Sequence, residues 1–289
     1  MEKAGFDDKV SIITVNYNGW RDTCAMIESL AKYETYPYEI IVVDNASLGD
    51  DVKQIATAHP EVRIITSKKN LGFAGGNNLA LPYATGNYLF FLNNDTEIKR
   101  PILSTIVKRL QNPSVGGVSP LIRYFDNPKA IQYNGYWRLT PITLRNTEPQ
   151  GWKAHEHTPS CKIDVMHGAA MMVRRDVLDR VGPMREDYFL FYEEFDWSYR
   201  ILEAGYEIWY EADAEVYHKE GQSVGKITPT RVLYMTRARR LFVRYNSRGW
   251  RKWASYCYLL GIVLPRDILR YTLQCRFDLV KAALSSLTK

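Results

Sequence analysis

Short unbroken apolar runs alternate along the chain with longer stretches of helical spacing. Residues 10–15 (VSIITV), 38–43 (YEIIVV) and 88–92 (YLFFL) are such runs, and 62–66 (VRIIT) is a shorter one. They predict buried strands. Helical patterns lie between them, at about 20–31, 50–58 and 72–84, the last entered through a glycine-rich loop. Strands that alternate with helices argue for a largely parallel sheet. Further along the pattern loosens. Residues 116–122 predict a strand, 126–159 are rich in turn formers and aromatics, and 165–173 (VMHGAAMMV) read as a buried strand interrupted by small residues. Helices follow at 175–181, stopped by Gly182-Pro183, and at 195–204, ended by Gly205, and a strand starts at 207.

Two of the strands run into an acid. Asp44 closes one in IVVDNAS, and Asp95 closes another in FFLNNDT. In open α/β sheets, ligands bind in the crevice outside the carboxyl ends of the strands. A carboxylate there suits a divalent cation, and the cation suits a diphosphate. Asp44 alone reads equally as a helix N-cap or as an acceptor for imide and hydroxyl donors of a base or ribose. The segment NLGFAGGNN at 70–78 matches neither the dinucleotide fingerprint nor the P-loop; it is either a tight turn with close packing or part of a ligand loop. In DYFLFYEEFDW at 187–197, aromatics flank Glu193, Glu194 and Asp196. Crowded carboxylates beside apolar rings repel and lose solvation, which raises pKa and suits a general base. The same acids also suit a helix N-terminus. His218, in VYHKEGQSVG, reads as a structural histidine or as a ligand.

Charge changes the picture at the far end. Residues 226–289 hold fourteen Lys/Arg and two acids, a charge of +12, while the remainder carries −6. Basic and aromatic residues alternate there (Arg237, Arg239, Arg240, Phe242, Arg244, Tyr245, Trp250, Arg251, Lys252, Trp253, Tyr256). The apolar run 254–264 is too short for a bilayer span, which takes about 20 residues. A basic helix with an aromatic face fits the membrane interface, so an anionic membrane surface, rather than nucleic acid, is the expected partner; a helical cap with a solvated basic face is the plainer alternative. Residues 1–9 are polar and lack the apolar core of a signal peptide. The four cysteines are scattered without metal or disulfide spacing, and predict reduced, mostly buried thiols. The expected location is cytoplasmic, peripheral at the inner face of the cell membrane.

The order of these motifs resembles the family 2 glycosyltransferases of GT-A fold, in their bacterial rhamnosyltransferase-like branch. The matching stretches are 10–18, 41–47, 70–78, 90–96, 167–182, 192–205 and 216–225. The resemblance implies an α/β fold, Rossmann-like, with a mostly parallel central sheet flanked by helices. It implies a catalytic domain at 1–225, with a nucleotide-binding part to about 97 and an acceptor-binding part at about 98–225. A helical region at 226–289 would then associate with the membrane or build an oligomer. By position, Asn16, Asp44, Asn70, Gly72, Asn77 and Asn94 fall to the donor nucleotide. Asp95 would hold Mg²⁺ or Mn²⁺ on the donor diphosphate, with His218 completing the shell; Asn93 stands where the family has a first acid. Glu194, or its neighbour Glu193, matches the general base. His167, Gly168, Asp196 and Trp197 fall to the sugar and acceptor pocket. The implied reaction is inverting transfer from a dTDP- or UDP-sugar, first of all dTDP-rhamnose, to a glycan or lipid-diphosphate-linked acceptor in cell-surface polysaccharide synthesis. UDP-linked hexose, galactofuranose or N-acetylhexosamine transfer, and a binding protein without catalysis, are the alternatives.

Overall fold

A computed structural model describes residues 7–147, 156, 158–219 and 227–288. Residues 220–225 of the last motif lie outside them. The strands are β1 (Asp7–Asn16), β2 (Tyr38–Asp44), β3 (Arg63–Thr66), β4 (Gly86–Leu92), β5 (Thr96–Glu97), β6 (Val115–Tyr124), β7 (Ile131–Tyr133), β8 (Cys161–Ile163), β9 (Ala170–Arg174) and β10 (Glu207–His218). The helices are α1 (Trp20–Tyr33), α2 (Asp51–Ala58), α3 (Gly72–Ala80), α4 (Leu103–Leu110), α5 (Arg175–Val181), α6 (Glu193–Glu203), α7 (Pro229–Asn246), α8 (Gly249–Tyr258), α9 (Leu264–Leu273) and α10 (Phe277–Ser285).

One sheet runs in the order β3-β2-β1-β4-β9-β6-β10-β5, with β7 on β6 and β8 on β10. Its first four strands are parallel, as alternation with helices requires. β9 then enters antiparallel between β4 and β6. The sheet centre is largely apolar: Ile12, Ile13, Ile41, Phe90 and Phe91 are all buried, with Ser11 and Thr14 of β1 the polar residues buried among them. β4 and its neighbours therefore leave only their polar tips at the crevice.

Two boundaries differ from the sequence reading. α3 stops at Ala80, and a 3₁₀ turn takes Leu81–Tyr83, because Pro82 cannot donate to a continued helix. The strand expected over 165–173 begins only at Ala170; His167-Gly168-Ala169 turn ahead of it, closed by a bond from the Ala170 amide to the His167 carbonyl. β10 runs from Glu207 to His218, so the strand expected to start at 207 takes in the histidine as well. The thiols differ as well: Cys24 is buried, but Cys257 and Cys275 are exposed.

The basic C-terminal stretch is not a loose appendage. Thr228 caps α7 by accepting from the Arg231 amide, with Pro229 at its first position. The helix packs Ala238, Phe242 and Val243 against Tyr188 and Tyr192, next to α6. Tyr234 stacks on Phe189 at 4.3 Å between ring centroids. Phe242, placed by the sequence on a membrane-facing side, is instead an anchor into the body of the protein. No helix among the described residues is long and apolar enough to cross a membrane.

Candidate active site

The parallel strands deliver their ends side by side. Asn16 at the tip of β1 pairs in register with Asp44 at the tip of β2. Asn16 is fully buried, and its Nδ2 lies in donor range of Asp44 Oδ1 (3.0 Å), Asp51 Oδ1 (3.0 Å) and Ser47 Oγ (3.1 Å). Its Oδ1 accepts from the Thr23 hydroxyl at 2.8 Å, and Thr23 Oγ1 in turn accepts from Asn94 Nδ2 at 3.1 Å. A polar chain thus runs from Asp44 across the strand ends to the residue before Asp95. Asp44 does not cap a helix: its Oδ2 accepts from the Ser47 amide, while the N-cap of α2 is Asp50.

The glycine-rich segment is a clamp. Asn45, which the sequence reading passed over, donates from Nδ2 to Asn70 Oδ1 (3.1 Å) and the Gly72 carbonyl (3.0 Å), and accepts from the Leu71 amide (2.8 Å). Asn70 Oδ1 also takes the Gly72 amide. Gly72 has φ +73°, and a Cβ there would lie 2.1 Å from the Phe189 carbonyl oxygen. Only glycine fits. Asn77 is 2 % exposed and donates to the Phe73 carbonyl one turn back. Its Nδ2 is held inside α3.

At the end of β4, Asn93 to Asp95 form a turn into β5, which pairs antiparallel with β10 so that Thr96 faces His218. His218 Nε2 lies 3.1 Å from Asp95 Oδ1. On its other side, His218 Nδ1 is 2.9 Å from Gln132 Oε1 on β7. In the tautomer whose Nδ1–H donates to Gln132, Nε2 turns a lone pair toward the carboxylate. Two acceptors facing each other suit a shared cation, and the outer hydrogen bond that fixes the ring is the usual partner of a metal-bound histidine. Among the described residues there is no cluster of three or more His, Cys, Asp or Glu suited to a metal. Asp95 and His218 would therefore hold a divalent ion together with a ligand's own oxygens, as Mg²⁺ sites on phosphates do. Gln132 left no signal in the sequence.

The glutamates sit at the start of α6. Phe191 and Tyr192 before it both have positive φ (+72° and +69°), a strained pair for side-chain-bearing residues and of the kind that gathers at active sites. Glu193 is buried and Glu194 half-buried, and each has one Oε2 out of solvent with no hydrogen-bond partner. Burial pushes Glu194 up to about 7. Burial, then the charge of Glu194, pushes Glu193 well above the usual carboxylate range. The helix dipole alone does not account for acids held this way.

Rings connect the two centres. His167 lies 6.3 Å from His218 and 5.8 Å from Tyr136, which stacks on Phe195 at 6.3 Å; Phe195 follows Glu194. Burial, then His218, drives His167 down to about 3, so the ring is neutral at working pH. Gly168 lies opposite the Phe73 ring of α3. Tyr136, in the turn-rich stretch, was not foreseen.

Asp196 and Trp197 do not join this pocket. Asp196 is 1 % exposed and accepts from Arg185 Nε (3.1 Å), Arg200 Nε (3.0 Å) and Asn246 Nδ2 (2.9 Å). Trp197, equally buried, donates to the Gly182 carbonyl and packs edge-on against Phe91. Two residues along a helix turn about 200°, so Asp196 points away from the side that Glu194 presents.

A sheet of this order, with an acid at the second strand and an Asp–His pair at its crevice, is a GT-A fold. A solved mannosyltransferase from Pyrobaculum calidifontis, in complex with GDP-Man and Mn²⁺, superposes with a TM-score of 0.59 at 18% identity, over 98% of this chain and 76% of that one. The model of the family described as "Glycosyl transferase family 2" matches residues 11–182. The chain belongs to that family. A low-salt glycan biosynthesis hexosyltransferase of Haloferax volcanii is 30% identical over 204 residues, 67% of this chain. The match spans 61% of that relative's length. An N-acetylglucosaminyl-diphospho-decaprenol L-rhamnosyltransferase of Mycobacterium tuberculosis is 22% identical over 265 residues, 84% of this chain and 86% of that protein.

Proposed function

We propose that the chain is an inverting glycosyltransferase that moves a sugar from a nucleoside diphosphate to a hydroxyl of a glycan or lipid-diphosphate-linked acceptor. One observation carries the reading: a buried glutamate pair with unpartnered oxygens stands at one end of a row of rings whose other end is the Asp95–His218 pair. The acceptor oxygen bonds to the anomeric carbon as the bond from that carbon to the diphosphate oxygen breaks. Glu194 Oε2 takes the acceptor's proton, a role suited to a carboxyl raised to about 7. Asp95 and His218 would hold Mg²⁺ or Mn²⁺, which supplies Lewis-acid neutralisation of the departing diphosphate. Asp44, with Asn16 fixing it, receives the nucleotide, and Tyr136, His167 and Phe195 bound the sugar side.

Rhamnose from dTDP-rhamnose is the first choice of donor, supported by the rhamnosyltransferase among the relatives. UDP-linked hexose, galactofuranose or N-acetylhexosamine follows, since the hexosyltransferase relative is the more identical of the two. A binding protein without catalysis would have no use for Glu193 and Glu194. The test is release of nucleoside diphosphate from a panel of nucleotide sugars with Mn²⁺ or Mg²⁺, with and without a lipid-diphosphate acceptor. Metal-dependent release from one donor, lost in Asp95→Ala, supports the reading. A donor that binds but is never turned over with any acceptor would replace it with the binding protein.

A further inference from the structure

Of the thirteen large apolar side chains exposed among the described residues, ten lie within 227–288. They are concentrated on one continuous helical run: α8, a π-helical turn over Leu259–Val263, and α9. Its inner side is spoken for, since Leu259 and Val263 pack with α7 and the Tyr188–Tyr192 cluster, and Leu264 and Tyr271 pack with Val232 and Leu279. Its outer side is not. Trp250 is 68 % exposed, Trp253 72 %, Ile262 58 %, Leu269 60 % and Leu273 77 %.

The spacing makes these one surface. Positions 250, 253, 257, 261, 265, 269 and 273 are all exposed and recur every three or four residues. A four-residue repeat drifts by about 40° per step around an α-helix, and the wider π turn in the middle takes up part of that drift. Phe277 at the start of α10 continues the exposed face at 65 %. The run is about 35 Å long at the α-helical rise per residue. Residues 227–288 carry twelve Lys/Arg against Asp267 and Asp278, each of which is paired with a neighbouring arginine. Arg251, Arg266 and Arg270 are exposed on the same elements as the apolar stripe, and Arg276 is exposed just beyond α9.

We propose that this face of α8, the π turn and α9 lies in the plane of a bilayer that contains anionic phospholipid. Outward tryptophans suit the headgroup level, and an apolar stripe with arginines beside it is the composition of an interfacial helix. Nucleic acid would want the arginines without the leucines. Of the residues the sequence singled out, Trp250 and Trp253 stay on the surface, whereas Phe242 turns inward: α7 is the strut, and α8 and α9 are the foot. The strut leads to the reaction centre, because Tyr234 stacks on Phe189 and Arg231 lies over Phe191 at 5.5 Å, in the turn that delivers Glu193 and Glu194. A membrane-borne acceptor would then meet a base held at a fixed height. The purpose rests on the transferase reading; the binding does not.

The full-length protein is floated with phosphatidylcholine vesicles, with or without about one third phosphatidylglycerol, a charge density in the range of anionic membranes. The expected result is flotation with the anionic vesicles, weakened by salt. Trp250→Ser/Trp253→Ser/Leu273→Ser should lower partitioning about ten-fold or more, with the circular dichroism spectrum and turnover of soluble donor unchanged. Arg266→Glu/Arg270→Glu, which leaves the apolar side chains intact, should lower it too and serves if the first variant does not fold. Folded wild type that stays off every vesicle overturns the proposal, as does flotation unaffected by both variants. Sedimentation showing a dimer that the Trp/Leu variant splits, without lipid binding, would assign the face to a second copy instead. Flotation without donor turnover would leave the membrane face standing and remove the transferase reading.

Discussion

His218 Nε2 stands 3.1 Å from Asp95 Oδ1, and the backbone pairing of β10 with β5 sets that distance. Asp95→Ala removes the sole carboxylate of the Asn93-Asn94-Asp95 turn. Loss of the ion's anchor should cut turnover by roughly 10²-fold or more, given the several kcal/mol of charge stabilisation a metal supplies. Gln132→Leu leaves both ligands but frees the ring at Nδ1. It should raise the Mn²⁺ concentration for half-maximal activity by about 10–100-fold, the usual cost of an outer hydrogen-bond partner. Metal titrations of the two variants decide; unchanged metal dependence in both would remove the ion from this site.

Glu194 gives a pH dependence with two opposite signs. A general base works ionised, so turnover should rise with pH through about 7, where burial has placed this carboxyl. Stability should move the other way. The folded-state pKa is raised above its unfolded value near 4.3, so the folded chain binds more protons in between. The stabilisation present at low pH is therefore lost as pH climbs toward 7. Glu194→Gln should flatten both trends in that window and lower kcat by about 10²–10⁴-fold, with little change in donor KM. A variant that keeps the wild-type pH–rate profile would point to Glu193 instead.

The parallel half of the sheet was legible because its strands are continuous apolar runs and their ends carry acids, so Asp44 and Asp95 could be placed before any fold was known. β9 was not. A buried strand inserted antiparallel has the same apolar sequence as one inserted parallel, and its direction is set by a crossover that the pattern does not encode. Crowding points to Glu193, Glu194 and Asp196 alike, and only the turn of the helix separates them: Asp196 and the neighbouring Trp197 are held in the interior by Arg200 and the Gly182 carbonyl. Gln132 and Tyr136 went unseen because a turn-rich stretch has no periodicity to single out one residue. Asn45 was hidden by its neighbour Asp44, although it closes the clamp on Gly72.

Asn16 joins the Asp44 end of the crevice to the Asp95 end through Thr23 and Asn94. In Asn16→Ala, Asp44 Oδ1 loses its side-chain donor, while Asp51 Oδ1 keeps the Trp20 amide, at about 1–3 kcal/mol for a buried group left unsatisfied. Urea unfolding should show a loss of that order. The catalytic signature should be a raised donor KM with a smaller fall in kcat, because Asp44 loses its fixed direction while Glu194 is untouched. Thr23→Val cuts the chain one step further on, between Asn16 and Asn94. It should affect the metal requirement more than KM. If Thr23→Val matched Asn16→Ala in both respects, the network would be structural packing only.

Asp196 separates a folding role from an acceptor role. Its carboxylate is buried, with Arg185, Arg200 and Asn246 donating to it, so α6, the segment before it and α7 converge on one group. Removal of one partner from a buried ion pair costs about 3–5 kcal/mol, because the remaining charge stays desolvated. Burial already depresses the Arg200 guanidinium, and Asp196 is the largest influence opposing it. Asp196→Ala should therefore lower the melting temperature sharply and loosen α7 from α6, seen as faster amide exchange in both helices. Asp196→Asn keeps the shape and part of the hydrogen bonding, and should lose less stability. At a temperature where the Asn variant is fully folded, its acceptor KM should equal that of wild type. A raised acceptor KM with wild-type stability would return Asp196 to the pocket that its buried position excludes.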